Sequence, residues 1–315
     1  MATRRIKNRL ITAVTVQLLS TMAAGLVWPA SDAGRSAADF LMIGQGARAA
    51  ALGGAYTAMS SDATAAHWNP AGLSGLENAA VALGHFAWYQ DITVEQLGVG
   101  LPLGEKLVGG VTATYVNYGQ IDGYDINGVA SGDLVAYDWV GGFSVAATLT
   151  ESFSAGVTAK YVNQRLDDVS GSALAFDLGA RFETSSLAFG AAIVNLGGQM
   201  KFDQSSEKLP AAARFGGMVR TFDGAIITSL DIEQRFEGDL TIRQGLELGF
   251  SDRYFLRAGY DYLPAQDGRR LATGMSLGGG LRLSIAEIDY AFTPNDKSTS
   301  EDLHRFTLTF QFAGK

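Results

Sequence analysis

Cysteine is absent from the chain, proline occurs six times and histidine three times in 315 residues. Without cysteine there is no disulfide framework, no thiolate metal site and no cysteine nucleophile. His67, His85 and His304 stand apart, with no metal-ligand spacing, so neither a metal nor a cofactor is expected. Charge is scarce too, at 18% of residues, where about a quarter is usual in soluble domains. The net charge of −8 argues against a nucleic-acid partner, because phosphates call for a basic face. After the first thirty-odd residues no apolar run approaches the ~20 residues of a spanning helix. Glycine is abundant, with 39 residues, and the hydrophobic content is an ordinary 47%. That value alone does not separate a membrane protein from a soluble one.

The first segment has the form of a secretory signal peptide. Arg4, Arg5, Lys7 and Arg9 make a basic start, residues 10–27 are apolar apart from Thr, Ser and Gln, and Ser31, Asp32 and Ala33 are small residues before Gly34. The alternative is an uncleaved anchor, since the run approaches spanning length. Gln17 and the hydroxyl residues favour cleavage. The expected organisation is signal peptide 1–33, an internal segment 34–77 and a strand-rich body 78–315.

From Ala79 onward, alternation with period two dominates. Leu174, Phe176, Leu178, Ala180 and Phe182 interleave with Ala175, Asp177, Gly179, Arg181 and Glu183. Leu246, Leu248 and Phe250 interleave with Gly245, Glu247 and Gly249, while Gln244 interrupts the apolar set. A soluble antiparallel sheet with one wet face produces the same pattern. Two features favour an all-β transmembrane barrel: segments of about ten residues, and their recurrence to Phe312 without a helix. The pattern predicts strands at 79–88, 94–103, 107–118, 136–149, 152–165, 172–183, 186–196, 211–222, 225–236, 239–250, 252–262, 271–283, 286–293 and 303–312. That is fourteen antiparallel strands, an even number, as bacterial barrels have. The segments 119–135, 197–210 and 294–302 are expected as longer polar loops on the outer side. Tyr115, Tyr118, Trp139, Tyr161, Tyr254, Tyr260 and Tyr290 are candidates for an interfacial girdle.

Charges that alternate with the apolar face must point inward, because arginine facing lipid costs about 2–4 kcal/mol near the midplane. The candidate lumen network is Asp177, Arg181, Glu183, Asp231, Glu233, Arg243, Glu247, Arg257, Asp261, Arg282 and Asp289, with Arg214, Arg220, Arg235 and Glu287 on the same face. It is expected to anchor an internal plug. On a soluble sheet the same residues would be an ordinary wet face.

The stretch 44–73, GQGARAAALGGAYTAMSSDATAAHWNPAGL, breaks the alternation. Gly44, Gly46, Gly53 and Gly54, with many alanines, allow close backbone packing. Ser60, Ser61 and Asp62 offer a cap for a short helix towards Trp68. Asn69 and Pro70 initiate a turn that Ala71 and Gly72 complete. A plain small-residue loop is the alternative.

The order GARAAALGGAYTA, SSDA, HWNPAGL resembles the N-terminal signature of the PorV/PorQ family of outer-membrane barrels. More distantly it is similar to the FadL family of long-chain fatty-acid transporters, whose N-terminal hatch carries the same Asn-Pro-Ala turn. A weaker likeness lies in Asp289-Tyr290-Ala291-Phe292 and His304-Arg305. The resemblance implies a barrel of about fourteen strands with a plug (hatch) containing short helices, its motif being Gly53, Gly54, Asp62, Asn69, Pro70, Ala71 and Gly72. It further implies an outer-membrane protein of a diderm bacterium, in contact with outer-membrane lipid.

No catalytic set emerges, and a non-enzyme is expected. Gly274-Met275-Ser276-Leu277-Gly278 matches G-x-S-x-G in letters, but it lies in an alternating strand and not in a strand-turn-helix. Gly278-Gly279-Gly280 lacks the lysine and helix of a phosphate cradle. A hydrolase with Ser and His on the outer face of a barrel is the remaining enzymatic alternative. Two functions follow from the resemblance. The first is a type IX-like protein-secretion component that binds cargo or partner proteins, favoured by chain length and acidic loops. The second is passive transport of hydrophobic small molecules such as long-chain fatty acids.

Overall fold

The computed structural model describes residues 36–88, 91–202, 205–238, 240–263, 271–294 and 302–312; the expected signal peptide lies outside them. Past residue 78 the chain forms β1 (Ala79–Ala87), β2 (Thr93–Pro102), β3 (Leu107–Asn117), β4 (Ile121–Tyr124), β5 (Ala130–Leu134), β6 (Ala136–Thr150), β7 (Phe153–Leu166), β8 (Val169–Glu183) and β9 (Leu187–Gly197). It continues with β10 (Gln199–Lys201), β11 (Ser206–Lys208), β12 (Ala212–Thr221), β13 (Ile226–Arg235), β14 (Leu240–Phe250), β15 (Tyr254–Leu263), β16 (Leu271–Arg282), β17 (Ala286–Thr293) and β18 (Leu303–Phe312).

Fourteen of these close an antiparallel barrel. Each pairs with its neighbours in chain order, β8 joins β9, and β1 pairs with β18 from Ala79↔Phe312 to Ala87↔His304. Closure leaves the wall without a free edge, the condition for strands to cross a bilayer. The expected strands all appear, with ends displaced by no more than three residues. Two long connections are more ordered than polar loops: β4–β5 is a separate hairpin, and β10–β11 extends from β8. Both lie at the end of the barrel remote from the tight turns, such as the one closed by Leu103 N–H donating to Leu107 O.

The alternation translates directly into two faces. Leu174, Phe176, Leu178 and Phe182 are exposed on the outside, while Asp177 and Arg181 between them are buried inside. Near the long-loop rim, Tyr115 pairs with Trp139 in register, and the Trp139 and Tyr161 rings lie 5.4 Å apart. Tyr118 departs from the expected girdle. It lies just past β3 against the interior cluster, and its hydroxyl donates to Asp138 at 2.7 Å.

Residues 36–78 fill the barrel as a plug. It begins at the long-loop end, where Ala37 N–H donates to Lys208 O at 2.9 Å and Ala38 N–H to Gln164 Oε1 at 2.8 Å. It then forms a 3-10 turn (Asp39–Met42), helix α1 (Ala47–Ala51), helix α2 (Ala65–Trp68) and a 3-10 segment (Pro70–Gly75) before entering β1. Gly53 and Gly54 turn the chain after α1 at φ +65° and +79°, the left-handed region that glycine adopts without strain. Of the expected cap residues Ser60, Ser61 and Asp62, Asp62 bonds at the start of α2, though from outside the N-cap position. Thr64 is the N-cap of α2 and makes no side-chain cap bond, whereas Asp62 accepts from Thr64 N–H at 2.8 Å and its hydroxyl at 2.6 Å. Two residues of spacing suit an Asx turn ahead of the helix better than a cap.

The inward glycines of the wall are where the plug fits. A Cβ on Gly179 would lie 2.1 Å from Asn69 Oδ1, and one on Gly259 only 1.9 Å from Gly53 N. At Gly259 backbone meets backbone, at Gly179 the Asn69 and Pro70 side chains lie against the wall, and no larger residue leaves room at either.

Candidate functional site

The site is the interface between plug and inner wall. At its centre, Arg48 of α1 forks onto Glu247 of β14, with Nε–Oε2 at 2.9 Å and Nη2–Oε1 at 2.8 Å. Glu247 also receives Arg257 Nε of β15 at 2.6 Å. Arg257, with a fully buried side chain, continues to Asp289 of β17 at 2.5 Å and to Glu287 at 3.5 Å, and Glu287 accepts Arg282 at 2.7 Å. Three guanidiniums, Arg48, Arg257 and Arg282, thus meet three carboxylates, Glu247, Glu287 and Asp289, as burial of charge requires.

A second set lies beside α2. Glu233 of β13 binds Arg214 of β12 at 2.6 Å and Arg243 of β14 at 3.0 Å. Arg214 also donates to His67 O at 2.9 Å, and its guanidinium carbon lies 5.4 Å from the Trp68 ring centroid. Asp231 accepts the backbone N–H of Tyr56 at 3.0 Å and of Thr57 at 2.7 Å. On the opposite wall, Arg181 donates to Ala58 O at 3.1 Å and pairs with Glu183 at 2.5 Å. Asp177 accepts Lys160 at 2.5 Å across β7 and β8, and Asn195 N–H at 2.7 Å at the bulge between β8 and β9.

The plug motif occupies the waist. Asn69 Oδ1 accepts Ala71 N–H at 3.1 Å, and its amide donates to Thr57 O at 3.1 Å and Ala180 O at 3.0 Å. Pro70, Ala71 and Gly72 are buried behind it. Asp62 bonds within the plug, to Thr64 and to the Tyr56 hydroxyl. Asp261 accepts Gly274 N–H at 2.7 Å and belongs to the wall alone; Arg282 is half exposed at the tight-turn end. Burial, then the nearby Asp62 carboxylate, raises the Tyr56 hydroxyl pKa. Burial, then the cations Arg214 and Lys160, hold His67 well below the ordinary histidine value.

Sequence reasoning missed Arg48 and Lys160. Lys160 shares the inward period of Thr158 and Val162, a signal that was present; Arg48 stands alone among alanines and gave none.

Around the first residues of the plug, at the long-loop end, the inner face changes character. Phe86, Val94, Val116 and Val162 of the wall are buried against Phe40, Leu41 and Ile43 of the plug, with Met200 and Leu209 closing the cluster. On the outer face, a groove of about 810 Å³ runs across Leu83, Leu97, Tyr115, Trp139 and Phe306, beside a His85–Glu95 pair at 2.7 Å. The β4–β5 hairpin exposes Tyr124, Ile126 and Val129, so this loop is less polar at its tip than expected. Ser276 of the G-x-S-x-G run is buried inside the wall, on the face opposite His85 and His304.

The model of an uncharacterised protein family (UPF0164) matches residues 19–204. No curated protein matches the chain. Among solved structures, the CymD monoaromatic hydrocarbon channel is similar with a TM-score of 0.65 and 14% identity, over 86% of this chain and 98% of that one. The P. putida toluene transporter TodX gives 0.62 and 14% over 86% and 99%. A Pseudomonas aeruginosa FadL homologue gives 0.56 and 11% over 85% and 98%. At such identities the likeness is one of fold: a plugged barrel of the outer-membrane type.

Proposed function

The chain belongs to the uncharacterised protein family UPF0164, and from that premise and its barrel we propose a passive outer-membrane transporter of small hydrophobic molecules. The observation that carries this reading is the apolar mouth. A water-filled porin has a polar inner face; here the inner face at the long-loop end is Phe86, Val94, Val116 and Val162. That face is covered by Phe40, Leu41 and Ile43 of the plug, and a hydrophobic solute gains by leaving water for it once they move aside. Passage then requires the plug to shift, because Gly259 and Gly179 seat it without clearance. The named similarity to hydrocarbon channels supports this reading, which also places the protein in the outer membrane after signal cleavage and gives it no enzymatic step. The test is uptake of radiolabelled toluene into proteoliposomes. The protein is expected to accelerate uptake, and Val116→Asp with Val162→Asp to abolish the gain. Equal uptake by empty vesicles would end the proposal.

A second reading is a secretion component related to PorV/PorQ that binds cargo. The β4–β5 hairpin favours it: Asp125 accepts Asn127 and Val129 N–H, each at 2.8 Å, fixing a tip on which Ile126 is fully exposed. Affinity purification from mild detergent separates the two readings. Secreted proteins sharing a C-terminal domain support secretion; stoichiometric apolar molecules without protein partners support transport.

A further inference from the structure

Between the plug and β12–β18 lies a cavity of about 180 Å³ whose lining includes Met42, Gly44, Trp68, Arg243, Ser276 and Arg305. It sits on the long-loop side of α1. Arg305 is the third residue of β18, Thr293 the last of β17 and Gly274 near the start of β16, and these three lining residues mark the same end of the wall. The apolar mouth is directly above, since the Arg305 guanidinium carbon lies 4.2 Å from the Phe86 ring centroid.

Arg305 differs from the other interior arginines. Arg214 and Arg243 line the same cavity and are both tied to Glu233. Arg305 donates Nη1 to Gly44 O at 3.1 Å. Its Nε is buried without a partner, and among the described residues no carboxylate reaches it. The Nε–Nη2 edge is the one that carboxylates grip side-on, with two parallel bonds. Ser276 Oγ, in a side chain that is 3% exposed, is a second unpartnered group on the lining. A buried cation without a counter-charge is unfavourable, so this edge favours an anion. The rest of the lining selects which kind: Trp68, Met42 and Ala50 form an apolar side, while the one carboxylate on the lining, Asp261, accepts Gly274 N–H and stands with three arginines, Arg214, Arg243 and Arg305. The volume suits one ring-sized body and not a long acyl chain.

We propose that this cavity binds a small organic monocarboxylate, its carboxylate on the Nε–Nη2 edge of Arg305 with Ser276 Oγ as a further donor, and its apolar body against Trp68 and Met42. The inference deepens the transport reading and rests on it for the route by which a solute arrives. Binding to the detergent-solubilised full chain is measured without passage, so its failure removes the site while toluene uptake still decides transport.

The probe is benzoate, titrated calorimetrically, with benzyl alcohol and inorganic phosphate as comparisons. One benzoate is expected to bind per chain. Benzyl alcohol, with the ring but no carboxylate, should bind at least about tenfold more weakly, and Arg305→Gln should weaken benzoate by a similar factor. If Arg305→Gln does not assemble, Arg305→Lys keeps the charge and loses the fork, and should still weaken benzoate several-fold. No binding of benzoate overturns the proposal. So does equal affinity in the arginine variants, equal affinity for benzyl alcohol, or displacement by equimolar phosphate, which would mark an inorganic-anion site only.

Discussion

The side-chain amide of Asn69 donates to the backbone carbonyl of Ala180 at 3.0 Å and so ties the plug to the wall of the barrel. The same side chain accepts from Ala71 and donates to Thr57 O, so one residue holds the turn, the preceding plug strand of chain and β8 together. Replacing Asn69 and Pro70 by alanine removes these bonds and the preset φ of the turn. The expected outcome is a looser plug and higher ion conductance in planar bilayers. A trace indistinguishable from that of the native protein would show that this junction does not retain the plug.

Arg257 has a buried side chain and serves Glu247, Asp289 and Glu287 at once. Arg257→Met keeps much of the volume and strands the buried Asp289 carboxylate, since Glu247 keeps Arg48 and Glu287 keeps Arg282. Breaking a buried pair on one side costs about 3–5 kcal/mol. The urea midpoint of the barrel refolded into vesicles should fall accordingly. The double variant with Asp289→Asn should recover part of the loss, because the stranded charge is gone; a fully additive loss would mean that the groups are not coupled.

The barrel was legible because its signal is local. Lipid outside and polar groups inside impose a period of two on each strand, and Leu174 to Phe182 show it without reference to any other segment. The inward direction of Glu247 or Arg257 follows from the same rule. Their partners do not: Arg48 and Glu247 are 199 residues apart, and nothing in either segment names the other. The hairpin at β4–β5 was hidden for a different reason, since its short exposed strands serve no apolar face. The mouth cluster was hidden because valine at an inward position, as at Val116, reads as a break in alternation until the plug supplies Phe40 and Ile43.

His67 gives the plug a direction of pH dependence. Burial, with Arg214 and Lys160 nearby, lowers its pKa in the folded state, while the unfolded chain keeps a value near 6.5. Below that value the unfolded form takes up the proton first, so stability is full at neutral pH and declines as pH falls through about 6.5. Thermal melting at pH 7.5 and 5 should show a drop, and His67→Gln, which cannot ionise, should shrink it. A drop of the same size in His67→Gln would assign the effect to other groups.

Gly259 and Gly53 make the closest approach of plug and wall described above, and Gly259→Ala tests whether it matters. The new methyl would meet Gly53 N at 1.9 Å and the Leu52 carbonyl carbon at 2.1 Å, distances no rotamer can relieve, since a Cβ has none. The wall has little freedom here, because Gly259 pairs with Gly245 on one side and Ser276 on the other. The plug must therefore give way around Leu52 to Gly54. The barrel is expected to assemble, with the plug newly open to cleavage by trypsin at Arg48 and its conductance raised. Retained protease resistance together with native conductance would show that the strands part to admit the methyl.

Leu246 and Leu248 test the facing of β14 itself. Glu247 between them binds Arg48 inside the barrel, so the pleat turns both leucines to the lipid, where Leu246 opposes Thr228 and Ala258 on the neighbouring strands. Arginine at each position would place a guanidinium in the apolar band, at about 2–4 kcal/mol apiece near the midplane. Together these exceed a large part of the stability of an ordinary domain. The double variant should fail to reach the heat-modifiable, protease-resistant form in membranes, whereas Leu246→Phe with Leu248→Phe should assemble normally. Normal assembly of the arginine pair would mean that this face of β14 meets water, and the barrel would then have to be read as standing outside the bilayer.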